Sequence, residues 1–241
     1  MEVFSFFRWL HIIGGFTALL VFWVPIITKK GGKIHNFVGW LYVWAMAVVS
    51  ISAFYMGVYR VFWDEQANAE RVSFSLFLIF IAILSGASAW YGIRVLRFKK
   101  RQTAHRNMMD LFVSVLLLVS GITIGSYGVL IQSPLITYFP LLGVFLGATQ
   151  LYYWIRKPIK RMHWLFEHFG GMIACCISTV TAFTVFGAPR LLNISSTNLL
   201  LWLLPSFILV PVLVGFNIYY GKKYVGKSKI GTKEPNMKIR S

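Results

Sequence analysis

The amino-acid sequence predicts an all-α integral membrane bundle of seven transmembrane helices, with the N-terminus outside the cytoplasm and a basic C-terminal tail inside. Three observations predict it. Hydrophobic residues make up 57% of the 241 and charged residues only 13%, about half the charged share of a soluble domain, so polar side chains are too few to cover a water-soluble surface. Apolar stretches of the ~20 residues that a helix needs to cross a bilayer core recur seven times. The basic residues gather in alternate loops between them, as residues that resist translocation do.

The spans run in order from Phe4 to Ile27, Phe37 to Tyr59, Ser73 to Val95, Met109 to Ile131, Leu135 to Ile155, Trp164 to Phe186 and Leu199 to Tyr220. The first is preceded by Glu2, holds only Arg8 as an early basic residue and is followed by no small-x-small cleavage site, so it is expected to stay as a helix rather than leave as a signal peptide. It runs into Lys29, Lys30 and Lys33; the third runs into Arg94, Arg97, Lys99, Lys100, Arg101 and Arg106; the fifth into Arg156, Lys157, Lys160 and Arg161; the seventh into a tail with Lys222, Lys223, Lys227, Lys229, Lys233, Lys238 and Arg240. Of the 24 basic residues, only Arg8, Arg60, Arg71 and Arg190 are left for the other side. An odd number of crossings puts the tail with the odd-numbered loops, so span number and charge bias agree. The last span carries Pro205 and Pro211, which are expected to kink or break it.

This division gives one transmembrane domain over residues 1–221 and a polar, lysine-rich, disordered tail over 222–241. The net charge of +17 raises nucleic-acid binding, but basic clusters alternating with apolar spans are a membrane-edge pattern, and anionic lipid headgroups at the cytoplasmic face are the expected partner. The intended location is the plasma membrane of a bacterium, as a multi-pass inner-membrane protein. Cys175 and Cys176 are adjacent in an apolar span and make no Cys-x-x-Cys motif, so they are expected as reduced packing residues. Asn193-Ile-Ser195 has the form of a glycosylation acceptor. No phosphate loop, dinucleotide fingerprint, zinc-protease helix or nucleophile elbow occurs.

A repeat is visible in the basic loops: each odd span ends in one, and a histidine then opens the next span, at His35, His105 and His163. Small residues precede them, at Gly14, Gly15 and Ala18, at Gly86, Ser88 and Ala89, and at Gly143, Gly147 and Ala148, as faces for close helix contact. Three hairpins plus a helix, or a three-one-three arrangement, both fit. Those three histidines are expected at one depth near helix N-termini, where a positive dipole end favours neutral imidazole, the form that ligates a metal or haem iron. The alternative is a headgroup-level imidazole that bonds phosphate or a loop carbonyl.

His168 lies five residues beyond His163 and points elsewhere, whereas Glu167 shares the His163 face and the two are candidates to bind a cation or relay a proton. Asp110 pairs most simply with Arg106; for it and Glu167, function and first-turn helix stabilisation are both open. His11 sits on the outer half of the first helix beside Gly14, Gly15 and Ala18, and without a second outer imidazole it argues against a two-haem transmembrane cytochrome. Ser114, Ser120, Thr123 and Ser126 on the fourth helix, with Ser178, Thr179, Thr181 and Thr184 on the sixth, are read as interhelical bonds or the lining of a polar path.

The hairpin His11-Ile-Ile-Gly-Gly-Phe-Thr-Ala-Leu-Leu, followed by Lys30-Gly-Gly-Lys-Ile-His35-Asn-Phe-Val-Gly39-Trp-Leu-Tyr42, resembles a family of bacterial multi-pass membrane proteins known as a domain of unknown function, and Glu167-His168-Phe-Gly-Gly-Met172 resembles its later part. The resemblance implies a prokaryotic inner-membrane protein with His11, Lys30, Gly31, His35, Gly39 and His168 as motif positions. Family members tend to carry arginine where this chain has Asn36 and Trp40. Three functions are carried forward: a haem or transition-metal protein using His35, His105, His163 or His168 for redox or assembly work; a transporter or channel with Asp110 and Glu167 on its route; and an assembly factor with no small ligand.

Overall fold

The computed structural model describes residues 2–159, 161–187 and 199–224. Seven helices in it are long and apolar enough to cross a membrane: α1 (Glu2–Ile27), α2 (Lys33–Phe62), α3 (Ala69–Phe98), α4 (Met108–Leu130), α5 (Pro134–Ile155), α6 (His163–Gly187) and α7 (Leu199–Tyr224). No strand occurs among the described residues. The chain is a multi-pass, all-α membrane bundle.

Local chemistry fixes the ends that matter for the site. Past the last turn of α1, Gly31 adopts a φ of 74°, a left-handed conformation that costs a glycine little, and this turn swings Lys30 back over the end of α1. Asn68 and Asn107 cap α3 and α4 by accepting the amide protons of Arg71, and of Met109 and Asp110. The last residues of α3, Val95–Phe98, tighten into a 3₁₀ turn. Arg101 donates to the carbonyls of Tyr153 (2.8 Å), Trp154 (3.2 Å) and Arg156 (2.9 Å) at the C-terminal end of α5, beyond the reach of the helix's own amides, and Trp154 O also accepts the His105 amide at 2.8 Å.

Helices α3 and α6 are the most buried; α3 contacts α2, α4, α5 and α6, while α1 lies against α2 and α7 against α6. Away from the basic loops, Phe77, Phe80, Leu117, Phe139, Val185 and Trp202 form the core. Towards the basic loops the packing narrows to Tyr42, Met46, Ala89, Ile173, Cys175 and Cys176. Helices α3 and α6 approach closely: a Cβ on Gly171 would lie 2.7 Å from Gly92 Cα and 2.8 Å from Gly92 N, so the two backbones touch where only hydrogen fits. Among the small positions expected to mediate contact, Gly14, Gly143 and Gly147 do so, whereas nothing lies within 4 Å of a Cβ on Gly15.

Several expectations are revised. Helix α2 begins at Lys33 and ends at Phe62, beyond the apolar core of the span, because its polar and aromatic ends continue the helix into the interface. Pro205 and Pro211 do not break α7, which is one helix over Leu199–Tyr224; a transmembrane helix absorbs the missing amides by local adjustment. That helix also takes in Lys222 and Lys223, placed in the tail by sequence. His105 does not open α4 but precedes its first residue, Met108, so the three loop histidines are not equivalent. Most of the tail, Lys160, Arg190 and Asn193-Ile-Ser195 lie outside the described residues.

Candidate functional site

Two of the five histidines meet. The rings of His35, in the first turn of α2, and His168, on α6, lie 6.3 Å apart centre to centre at an interplanar angle of 70°. Each is held by a backbone carbonyl: His35 Nδ1 lies 3.1 Å from Pro25 O in the last turn of α1, and His168 Nδ1 lies 2.7 Å from Gly92 O beside the α3–α6 crossing. A carbonyl oxygen only accepts, so Nδ1 carries the proton in both rings. Nε2 is therefore the atom left with a free lone pair in each neutral imidazole.

Both rings border one cavity of ≈ 120 Å³, lined also by Phe22, Pro25, Lys30, Trp40, Tyr42, Met172, Cys176 and Phe216. Among the described residues, the lining contains no carboxylate. Lys30 reaches Pro25 O at 2.8 Å and Ile26 O, thereby capping α1, with its ammonium 4.5 Å from the centre of the Phe216 ring. Burial pulls the Lys30 ammonium down to about 8. Behind the cavity, the Tyr42 hydroxyl meets Thr179 Oγ1 at 2.8 Å, and Thr179 Oγ1 lies 3.2 Å from Met46 Sδ.

The other candidates occupy separate places. Asp110 is 1% exposed and accepts from Arg94 Nε and Nη2, both at 2.7 Å, from His105 Nε2 at 2.8 Å and from Trp90 Nε1 at 3.1 Å. Its partner is thus Arg94 on α3 and not Arg106. Four donors fill the lone-pair sites of a carboxylate, which leaves Asp110 without capacity for a cation. His105 is held between the rings of Phe98 (4.3 Å) and Trp154 (4.5 Å). The cluster ties the α3–α4 corner to the end of α5.

His163 Nδ1 pairs with the Tyr153 hydroxyl at 2.8 Å, and Glu167 accepts from the Tyr91 hydroxyl. Tyr91 and Tyr153 meet edge to face at 5.8 Å, so His163 and Glu167 are served by different tyrosines of one aromatic layer. His11 Nδ1 lies 3.2 Å from Val49 O and from Ser52 Oγ on α2, a helix–helix tie remote from the cavity. Ser114, Ser120, Ser178 and Thr184 each donate to carbonyls of their own helix, whereas Thr179 bonds across to α2 through the Tyr42 hydroxyl and Met46 Sδ. Among the described residues, no three His, Cys, Asp or Glu side chains converge as a metal cluster, so the four loop-end histidines do not form one site.

Sequence reasoning missed Arg94, Tyr91, Arg101 and the lining role of Met172. The four-residue spacing of His168, Met172 and Cys176, which puts all three on one face of a helix, was the legible signal for the last. No protein-family model matches the chain, and no curated protein or solved structure does either.

Proposed function

We propose that this chain is a bacterial inner-membrane protein, oriented N-out/C-in, that binds a transition-metal ion between His35 and His168 for redox or assembly work. The carrying observation is the pair of imidazoles, each fixed through Nδ1 by a backbone carbonyl, bordering one cavity at 6.3 Å. A metal ion ~2.0–2.1 Å from each Nε2 separates two ring centres by roughly 5–6.5 Å, depending on the angle at the metal. Carbonyl bonds to the second ring nitrogen are also the usual device for orienting a metal-bound histidine.

Two axial imidazoles of a haem would stand at a similar separation. The cavity of ≈ 120 Å³ favours an ion, since sites for ligands smaller than a haem already occupy roughly 300–1,000 Å³. The transporter reading is less supported: Asp110 is saturated, and most hydroxyls of α4 and α6 turn back onto their own helices. Membership of the resembled bacterial family belongs to the same proposal, as does anionic-lipid contact at the basic end, where Lys99 stacks on Trp164 (4.7 Å) and Arg156 on Tyr152 (4.8 Å). Basic residues near such a surface each contribute about 1 kcal/mol.

The test is metal analysis of the full chain purified in detergent, beside His35→Gln and His168→Gln. One equivalent of metal retained by the parent and lost in both variants is expected. Soret absorbance would replace the ion by haem, and neither signal after exposure to first-row metals would remove the proposal.

A further inference from the structure

We infer that the ion held at this cavity is monovalent copper, with the Met172 thioether as its third donor. The inference rests on the metal-binding reading above and goes beyond it in naming the ion and a ligand that no histidine pattern contains.

Four observations carry it. First, the soft donors that border the cavity beside the two imidazoles are sulfurs, Met172 and Cys176, with no carboxylate among the described lining residues. Thioether and thiol donors select soft ions, whereas hard divalent ions take carboxylates. Second, Met172 lines the same cavity as the two imidazoles, with its Sδ at the α3–α6 crossing, 2.8 Å from where a Cβ on Gly92 would lie. His168 and Met172 are four residues apart on α6, on one face, so the same helix turn presents both a nitrogen and a sulfur donor to the cavity.

Third, the ring separation of 6.3 Å is at the wide end of the range for two imidazoles on one ion. A wide angle suits copper(I), which accepts near-linear pairs of donors, and is far from the tetrahedral, commonly thiolate-rich arrangement of structural zinc. Fourth, the surroundings disfavour a second positive charge. Lys30 borders the cavity, both imidazoles are neutral ligands, and the cost of burying an ion grows steeply with its charge. A neutral nitrogen–nitrogen–sulfur set around a monovalent ion leaves a net charge of one; zinc or copper(II) would leave two beside an ammonium. Met46, whose sulfur is 3.2 Å from Thr179 Oγ1, supplies a further soft donor behind Cys176, so sulfur continues inward from the cavity.

The experiment uses the full chain in detergent micelles under anaerobic conditions. Copper(I) is supplied as its bicinchoninate complex, zinc(II) is titrated in parallel, and the copper-loaded protein is taken to X-ray absorption spectroscopy. One equivalent of copper(I) withdrawn from the chelator, zinc bound roughly 100-fold more weakly, and a sulfur neighbour at about 2.3 Å are expected. Met172→Leu, close in volume, should weaken copper(I) by about tenfold or more and remove the sulfur signal with the helical circular dichroism unchanged. If that variant does not fold, Cys176→Ser decides instead: a sulfur signal that persists in it leaves Met172 as the donor, and one that disappears overturns the assignment. Zinc bound as tightly as copper(I), or a copper shell without sulfur, overturns this inference and leaves the metal-binding reading standing. Failure to bind either ion overturns both.

Discussion

Replacing Asp110 by alanine removes the acceptor of four hydrogen bonds and leaves the Arg94 guanidinium, only 14% exposed, without its counter-ion. The two charges sit on different helices, with the carboxylate fully covered, so water does not readily replace the lost partner. Breaking such a pair from one side costs about 3–5 kcal/mol. At roughly 2–4 °C per kcal/mol for a chain of this size, the midpoint of thermal unfolding should fall on the order of 10 °C. Tryptophan fluorescence in detergent reads it directly, since Trp90 and Trp154 border the cluster. Two companions isolate the cause. Arg106→Ala should stay within about 0.5 kcal/mol of the parent, and Arg94→Met combined with Asp110→Leu should recover most of the loss, because an apolar pair carries no stranded charge. A loss below about 1 kcal/mol for Asp110→Ala, or an equal loss for Arg106→Ala, would refute the assignment of this cluster as a buried ionic tie.

Gly171→Val should destabilise the bundle by about 1–3 kcal/mol, because its Cβ would press on Gly92 N and Cα; the same variant should weaken metal binding, and a melt with an unmoved midpoint would contradict the close crossing. For Lys30, the sign follows from its lowered folded value: the unfolded chain binds more protons between about 8 and 10.5, so stability should rise with pH across that window. Lys30→Met should abolish this rise in the difference between the two pH–melting curves, and superposable curves would count against burial of the ammonium. A reporter fused after Ser241 should be active on the cytoplasmic side, and the opposite location would reverse the proposed orientation.

The seven crossings were legible because hydropathy and lysine placement are properties of the chain read locally, and each expected span lies inside or within a few residues of an observed helix. The partner of Asp110 was not legible. On a helix surface the nearest basic residue is Arg106, four positions back, but the chain before Asn107 is not helical, and the corner instead returns Arg94 from sixteen positions away. The histidines failed for a related reason. All of those near the basic loops look alike in sequence, and only the neighbourhood of α1, α2, α3 and α6 decides that His35 meets His168, while His105 meets Asp110 and His163 meets Tyr153. The motif positions implied by the resemblance fall in different places: Lys30, His35, Gly39 and His168 line the cavity and Gly31 makes the turn before α2, whereas His11 ties α1 to α2 away from it.

What joins that cavity to the fold is the use of helix ends as its second shell of support. A helix leaves its last carbonyls without amide partners, and in lipid each such group is costly unless a side chain reaches it. Pro25 O and Ile26 O are of this kind, and Lys30 and His35 satisfy them. Gly92 O, three residues before the 3₁₀ turn that ends α3, takes a side-chain bond from His168. The two imidazoles therefore serve the backbone through Nδ1 whether or not anything is bound, and for that reason their Nε2 atoms are pre-oriented at little entropic cost. It also follows that the ends of α1 and α3 cannot shift without turning one ring relative to the other. If an ion binds there as proposed, ligand geometry and helix packing form a single mechanical unit, in which a side chain added at Gly171 would act on the ion from outside its coordination sphere.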